Sequence, residues 1–297
     1  MPFSPQQLAA NALKRAKAST VAIEGRGTAY WTYPATTDTA ETLVLVHGYR
    51  GNHHGLEAIA GALPQYNLVI PDLPGFGTSE PFEGKHSVAA YTHWLQQFVA
   101  AVAPNARAVL GHSFGSIIVA SSAASWLSKP IILVNPVATF KTRGVRAALE
   151  GGVGLFYWLG DNLPESVGTA ALKLPAMVRA MSEVLTKTRN PGLRGWIHKQ
   201  HADNFSSFAL RRVATEGYLA STGKNVTGYA RNIHQPTLLL IGELDDITSV
   251  ADQKRNKKLF ESATLRQIDG VGHLIHYETP QPAADYIAEF VSQLEVQ

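Results

Sequence analysis

Short runs in which apolar residues follow one another with little alternation recur at 42–46, 67–71, 106–110, 130–134 and 236–241. Runs of this kind belong to strands covered on both faces, whereas a half-exposed strand alternates. A more mixed run at 264–269 and two stretches near the start, 20–24 and 28–33, complete the predicted strands. Between them the apolar period becomes helical. Leu56, Ile59, Ala60 and Leu63 share one face; Val88, Tyr91, Leu95, Phe98 and Val102 share another, with Ser87 as N-cap. Residues 116–120 open a further helix. Thr279, with Pro280 at the first helical position, starts the last one, which runs through Tyr286, Ile287, Phe290, Val291 and Leu294. The N-terminal stretch to about Ser19 reads as a short, weakly amphipathic helix. Alternating strands and helices predict an α/β fold, a mostly parallel sheet with helices on both faces.

The alternation breaks once. From 138 to 232 no strand pattern is found, only helical patches at 147–159, 170–185 and 194–219, punctuated by Gly151-Gly152, Pro164, Pro175 and Pro191-Gly192. The chain therefore divides into a core, 1–137 and 233–297, and an all-helical insertion, 138–232, placed to act as a cap or lid. Its apolar residues Leu155, Phe156, Trp158, Leu159, Met177 and Met181 recur at helical spacing. As a group they are expected to roof a substrate pocket, with Phe156 and Met181 as lining candidates.

The chemistry concentrates at Gly111-His112-Ser113-Phe114-Gly115, between an apolar run and a helical one. Strand, G-x-S-x-G, helix is the setting of a nucleophile elbow, a turn too tight for flanking side chains that exposes the serine hydroxyl at its tip. A serine hydroxyl is a weak nucleophile at neutral pH, so it needs a base, and the base needs a group to hold its tautomer. In chain order after Ser113, the strand at 236–241 ends in Gly242-Glu243-Leu244-Asp245, and Gly270-Val271-Gly272-His273 puts a histidine in a loop beyond the last strand. Asp245 is preferred to its neighbour Asp246, and His273 to His276. Both candidates fall at the C-terminal ends of strands, where sites of open α/β sheets lie. An oxyanion needs donors. Phe114 N–H follows the nucleophile, and Tyr49 N–H is the choice within His47-Gly48-Tyr49-Arg50-Gly51. His47 and His112 are read as shaping their turns.

Composition narrows the setting. The 297 residues suffice for one α/β domain with an inserted subdomain, and the absence of cysteine excludes disulfides and cysteine-based metal sites. No set of metal ligands is singled out. The start of the chain is polar and Ala-rich, without an apolar stretch of signal-peptide length, and no run approaches the roughly 20 residues that span a bilayer. A soluble cytoplasmic protein is expected. A net charge of +3 without a basic run argues against nucleic acid. That charge is unevenly placed: between Lys141 and Arg231 there are 13 basic and 6 acidic residues, net +7, which leaves −4 for the remainder. A basic insertion would steer an anionic substrate, rest on an anionic membrane surface, or be a solvated face with no role.

With these residues in hand, the chain resembles the α/β-hydrolase fold superfamily over nearly its whole length. Besides the elbow, Pro71-Asp72-Leu73-Pro74-Gly75-Phe76-Gly77-Thr78-Ser79 resembles the loop that superfamily carries after its fourth strand. His47-Gly48 resembles its oxyanion turn, and 270–280, with His273 and Glu278-Thr279-Pro280, its histidine loop. The resemblance implies an eight-stranded sheet, a cap after the sixth strand, a Ser113–His273–Asp245 triad and no cofactor. Members that open epoxides or remove halide use an aspartate nucleophile, and position 113 is serine. Members that split carbon–carbon bonds often carry asparagine before the serine and tryptophan after the histidine, where this chain has His112 and Leu274. Ser116 replaces a second glycine often found after the elbow. The expected function is hydrolysis of a small or medium carboxylic ester, with an anionic ester among the candidates, through an acyl-enzyme. A C–C hydrolase, an acyl transferase and a non-catalytic ligand-binding protein of the same fold are the alternatives.

Overall fold

The computed structural model describes residues 3–38, 40–138 and 145–294, with backbone alone at 145–150. Lys141 and Arg143 of the basic insertion lie outside the described residues. Eight strands form one sheet: β1 (Lys17–Ile23), β2 (Arg26–Tyr33), β3 (Thr42–Val46), β4 (Asn67–Pro71), β5 (Ala108–His112), β6 (Ile131–Val134), β7 (Thr237–Gly242) and β8 (Ala263–Ile268). Their order is β1-β2-β4-β3-β5-β6-β7-β8. β2 pairs antiparallel with both β1 and β4, and the pairings from β4 through β8 are all parallel. Glu24 and Gly25, both at positive φ (50° and 77°), make the two-residue turn that joins β1 to β2.

The helices are α1 (Pro5–Leu13), α2 (Glu57–Ala62), α3 (Val88–Val102), α4 (Phe114–Ala123), α5 (Val145–Asn162), α6 (Glu165–Leu172), α7 (Pro175–Leu185), α8 (Pro191–Asn204), α9 (Arg211–Gly223), α10 (Val250–Lys257), α11 (Ile275–Glu278) and α12 (Pro280–Ser292). Strand periodicity divides the core into two layers. Val44, Val46, Val69, Val109, Leu133 and Leu239 face α3 and α4. Leu43, Leu45, Leu68, Ile70, Leu110 and Leu240, the alternate positions, face α1, α2 and α12. Because both faces are covered, the central strands are apolar throughout, and every residue of β5 and β7 is buried.

Three expectations need correction. The first helix ends at Leu13, and β1 begins at Lys17, so the helix does not reach Ser19. Its buried stripe is Leu8, Ala9 and Ala12. The patch at 170–185 is two helices, separated where Pro175 starts α7. The patch at 194–219 is also two, α8 and α9. Between them Phe208 forms an antiparallel bridge with Phe76, while Gly77 N–H donates to Ser207 O (2.8 Å) and Ala209 N–H to Gly75 O (2.9 Å). Extended backbone in the insertion is thereby tied to the loop after β4.

The expected roof is also only partly inward. Leu155 and Trp158 are 56% and 58% exposed, and Leu159 is exposed too. The face of α5 that packs is Tyr157 with Gly160, and a Cβ on Gly160 would lie 2.8 Å from Leu172. Close helix approach selects the small residues, and the large apolar ones turn outward. Among the described residues no helix is long and apolar enough to cross a membrane.

Candidate active site

Ser113 stands at the turn between β5 and α4 with φ 53° and ψ −118°, a left-handed conformation rare outside glycine. Backbone strain of this kind persists only where the surroundings enforce it. Here the flanking glycines let chain segments touch. A Cβ on Gly111 would fall 2.3 Å from Gly115 O, and one on Gly115 would fall 2.3 Å from Val46 O. Ser113 N–H donates to Val134 O (3.0 Å), and Ser116 N–H to Ser113 O (2.9 Å). Ser116, the departure from the second glycine, also donates its hydroxyl to Ser113 O (2.5 Å).

The structure brings Ser113, His273 and Asp245 together. His273 Nε2 is 2.8 Å from Ser113 Oγ, and His273 Nδ1 is 2.9 Å from Asp245 Oδ2. A carboxylate only accepts, so the proton sits on Nδ1, and Nε2 is left to accept from the serine hydroxyl. Asp245 Oδ1 accepts from Ile247 N–H (2.7 Å). Asn135 Nδ2 donates to Asp245 Oδ2 (3.0 Å) and to Gly272 O (3.2 Å). Burial alone would raise the Asp245 pKa. The charge and hydrogen bond of His273, with the Ile247 and Asn135 donors, outweigh it and leave the group below the ordinary carboxylate range.

The rejected neighbours fall elsewhere. Asp246 is exposed and pairs with Lys187. His276 is buried, its ring 4.0 Å from that of His112. His112 Nε2–H reaches His273 O (3.2 Å), and burial, with His273 beside it, lowers the His112 pKa to about 3. His47 Nε2 accepts from Leu73 N–H (2.9 Å) and its Nδ1–H donates to Gly48 O (2.8 Å), which ties the turn after β3 to the loop after β4.

In that turn a Cβ on Gly48 would lie 3.1 Å from Ser113 Cβ. Tyr49 therefore follows a residue in contact with the nucleophile, as Phe114 does on the other side. The Tyr49 hydroxyl donates to Ala214 O of α9 (2.5 Å), and its ring packs with Phe76, Tyr157 and Tyr218. Phe156 is half-buried and edge-on to Tyr157 at 5.4 Å, two ring contacts from the turn; Met181 is half-buried on α7.

Two residues that sequence reasoning passed over carry much of this arrangement. Asn135 ends β6 at φ 45° and holds the carboxylate. Arg50, also at positive φ (59°), is buried. Its Nε donates to Phe205 O (2.8 Å), Nη1 to Tyr157 Oη (3.1 Å) and Nη2 to Leu172 O (2.8 Å). The only sequence signal for either is a polar residue one or a few positions beyond a buried strand.

The profile of the alpha/beta hydrolase family matches residues 43–286. The chain is 38% identical over 254 residues to the pimeloyl-acyl-carrier-protein methyl ester esterase of Aeromonas hydrophila, covering 84% of this chain and 94% of that protein. It is 28% identical over 269 residues to Lipase 1 of Psychrobacter immobilis, covering 86% of this chain and 78% of the lipase. A bacterial membrane phospholipase A of known structure superposes with a TM-score of 0.76 at 21% identity, over 98% of this chain and 93% of that one. At that identity the likeness concerns the fold.

Proposed function

The chain belongs to the alpha/beta hydrolase family, and from that premise we propose that it is a serine-dependent hydrolase of carboxylic esters. The observation that carries this reading is the unbroken relay from Asp245 Oδ2 through His273 to Ser113 Oγ, with contacts of 2.9 and 2.8 Å. Lipase and methyl ester esterase relatives support an ester as the bond.

Ser113 Oγ attacks the ester carbonyl carbon as its proton passes to His273 Nε2. Asp245 holds Nδ1–H and stabilises the imidazolium that forms. The tetrahedral oxyanion is met by the backbone N–H groups of Phe114 and Tyr49. Collapse of the intermediate breaks the carbon–oxygen bond, and the alcohol leaves with the proton from His273. Water, deprotonated by the same nitrogen, then attacks the acyl-enzyme and releases the acid and Ser113. Helices α5 to α9 act as the cap of this site. The bonds of Tyr49 and Arg50 to Ala214, Tyr157, Leu172 and Phe205 support that role.

Fluorophosphonate labelling and a p-nitrophenyl ester series test the proposal. The parent protein is labelled once per chain and turns over the esters. Ser113→Ala loses the label and roughly a million-fold in kcat, with an unchanged circular dichroism spectrum. Ester turnover retained by Ser113→Ala overturns the assignment.

A further inference from the structure

We propose that His53, His54 and Glu57 bind one divalent transition-metal ion of the zinc class, at a centre separate from Ser113. His53 and His54 open a 3-10 turn (His53–Leu56) that runs into α2, whose first residue is Glu57. One ligand atom from each residue lies within 4.8 Å of the other two. Ligands of a tetrahedral zinc ion, at bonds of roughly 2.0–2.1 Å, stand about 3.3–3.4 Å apart. His54 Nδ1 already lies 2.9 Å from Glu57 Oε1, a hydrogen bond that an ion between them would replace.

His53 has its second partner in place. Its Nδ1–H is 2.9 Å from Asp72 Oδ1, which also accepts His53 N–H at 2.8 Å, while Asp72 Oδ2 accepts Thr78 N–H at 2.9 Å. That leaves Nε2 as the nitrogen to bind an ion. A carboxylate behind a histidine, fixing its tautomer and ring plane, is the usual support of a metal-bound imidazole. Trp31 stacks on the same ring, with centroids 3.3 Å apart.

The charge balance points the same way. Asp72 and Glu57 are 0% and 4% exposed, and among the described residues neither pairs with lysine or arginine. Buried carboxylates need compensating charge, which a bound cation would supply. Nearby, the Tyr33 hydroxyl is buried without a partner, and burial together with Glu57 and Asp72 pushes its pKa upward. Two imidazoles and one carboxylate suit zinc, cobalt or nickel, whereas calcium and magnesium prefer all-oxygen sets. His54 is half-exposed, which gives the ion an entry path. Asn52, which precedes His53, donates to Asn204 at the end of α8 (3.0 Å). The ion would sit where the insertion meets the core.

The test uses the full chain, stripped with a chelator and titrated with Zn2+ by calorimetry and with Co2+ by visible absorption. One Zn2+ binds per chain, Co2+ develops the d–d bands of a low-coordinate site, and Zn2+ raises the thermal midpoint. His54→Ala and Glu57→Gln each weaken binding by about 10–100-fold or more, since even outer partners of a metal site are worth that much. Ser113→Ala, outside the site, binds as the parent does. Absence of stoichiometric binding overturns the proposal. So does binding undiminished in both His54→Ala and Glu57→Gln, which would place the ion on surface pairs such as His93–Glu24 or His234–Glu261.

Discussion

Asp245 and Asp246 are adjacent in the chain and opposite in setting. One is buried with three kinds of donor around it, and the other is exposed against Lys187. Asp245→Asn is expected to lower kcat roughly ten-thousand-fold by favouring the wrong histidine tautomer, with the fold intact. Asp246→Asn is expected to stay within a few-fold of the parent, because an exposed ion pair contributes little. Steady-state ester kinetics of the two variants check this, and a reversed order would identify the other acid. The preference for Asp245 was legible because a turn after a buried strand leaves few positions from which a side chain can reach a neighbouring loop. The elbow was legible for a similar reason: the contacts of Gly111 and Gly115 are local, so the glycines record them. Asn135 was not legible. Its role depends on β6 lying between β5 and β7, and on a left-handed backbone that no neighbouring residue announces. The His53-His54-x-x-Glu57 set was missed for the same kind of reason, since its second partner, Asp72, comes from another strand end.

At the scale of elements, strand positions were read to within two or three residues because buried strands carry continuous apolar runs. The insertion was harder. Its helical character was legible from spacing but not the number of helices, since two of the three patches are each two helices, and which face packs depends on small residues that spacing ignores, such as Gly160 against Leu172 and Gly168 against Gly160 O. Its basic surplus is partly spent on internal order. Arg179 and Arg194 share Glu183, Lys199 pairs with Asp203, Arg211 with Glu165, and Arg212 donates to carbonyls at Phe82, Glu83 and Gly84. Among the ties between the insertion and the core, one buried core residue makes three. Arg50 fills three acceptors from Tyr157, Leu172 and Phe205, the parts of the chain around α5, α6 and the end of α8. Arg50→Met keeps most of the buried stem but orphans all three acceptors. It should lower stability by a few kcal/mol, since each buried acceptor left unpaired costs about 1–3 kcal/mol. The loss should appear first as proteolytic cutting within 145–223, before the sheet unfolds. Limited proteolysis and urea midpoints measure the two effects. Uniform resistance to protease would show that the other ties of the insertion hold it without Arg50.

At the scale of the whole molecule, the distribution of buried histidines makes a prediction about acid. Burial holds His47 at about 4, His112 at about 3 and His201 at about 3, and His276 well below its ordinary value. His201 and His276 sit together at the junction of α8 with α11, where His201 packs on Tyr277. Unfolded, each of these groups takes up a proton below pH about 6.5; folded, they stay neutral until far lower pH. Between those limits the unfolded chain binds more protons, so stability must fall as pH falls. Their contribution is complete above about pH 6.5 and drains away toward pH 4. Each group with a folded pKa near 3 or 4 contributes a slope of about 1.4 kcal/mol per pH unit. Three such groups remove roughly 6 kcal/mol by pH 5, which is comparable with the whole stability of a typical domain. The lowered carboxylates Asp72 and Asp245 act in a different window. Their contribution is present above about pH 4 and is lost only below it. Acid unfolding should therefore centre near pH 5, ahead of carboxylate protonation. Urea titrations followed by circular dichroism at pH 7.5, 6.5 and 5.5 measure the slope. His201→Gln, which cannot take up a proton, should make it shallower by about one group's share. A stability that stays flat down to pH 4.5 would mean that these histidines can be protonated without unfolding, through an opening of the α8–α11 junction.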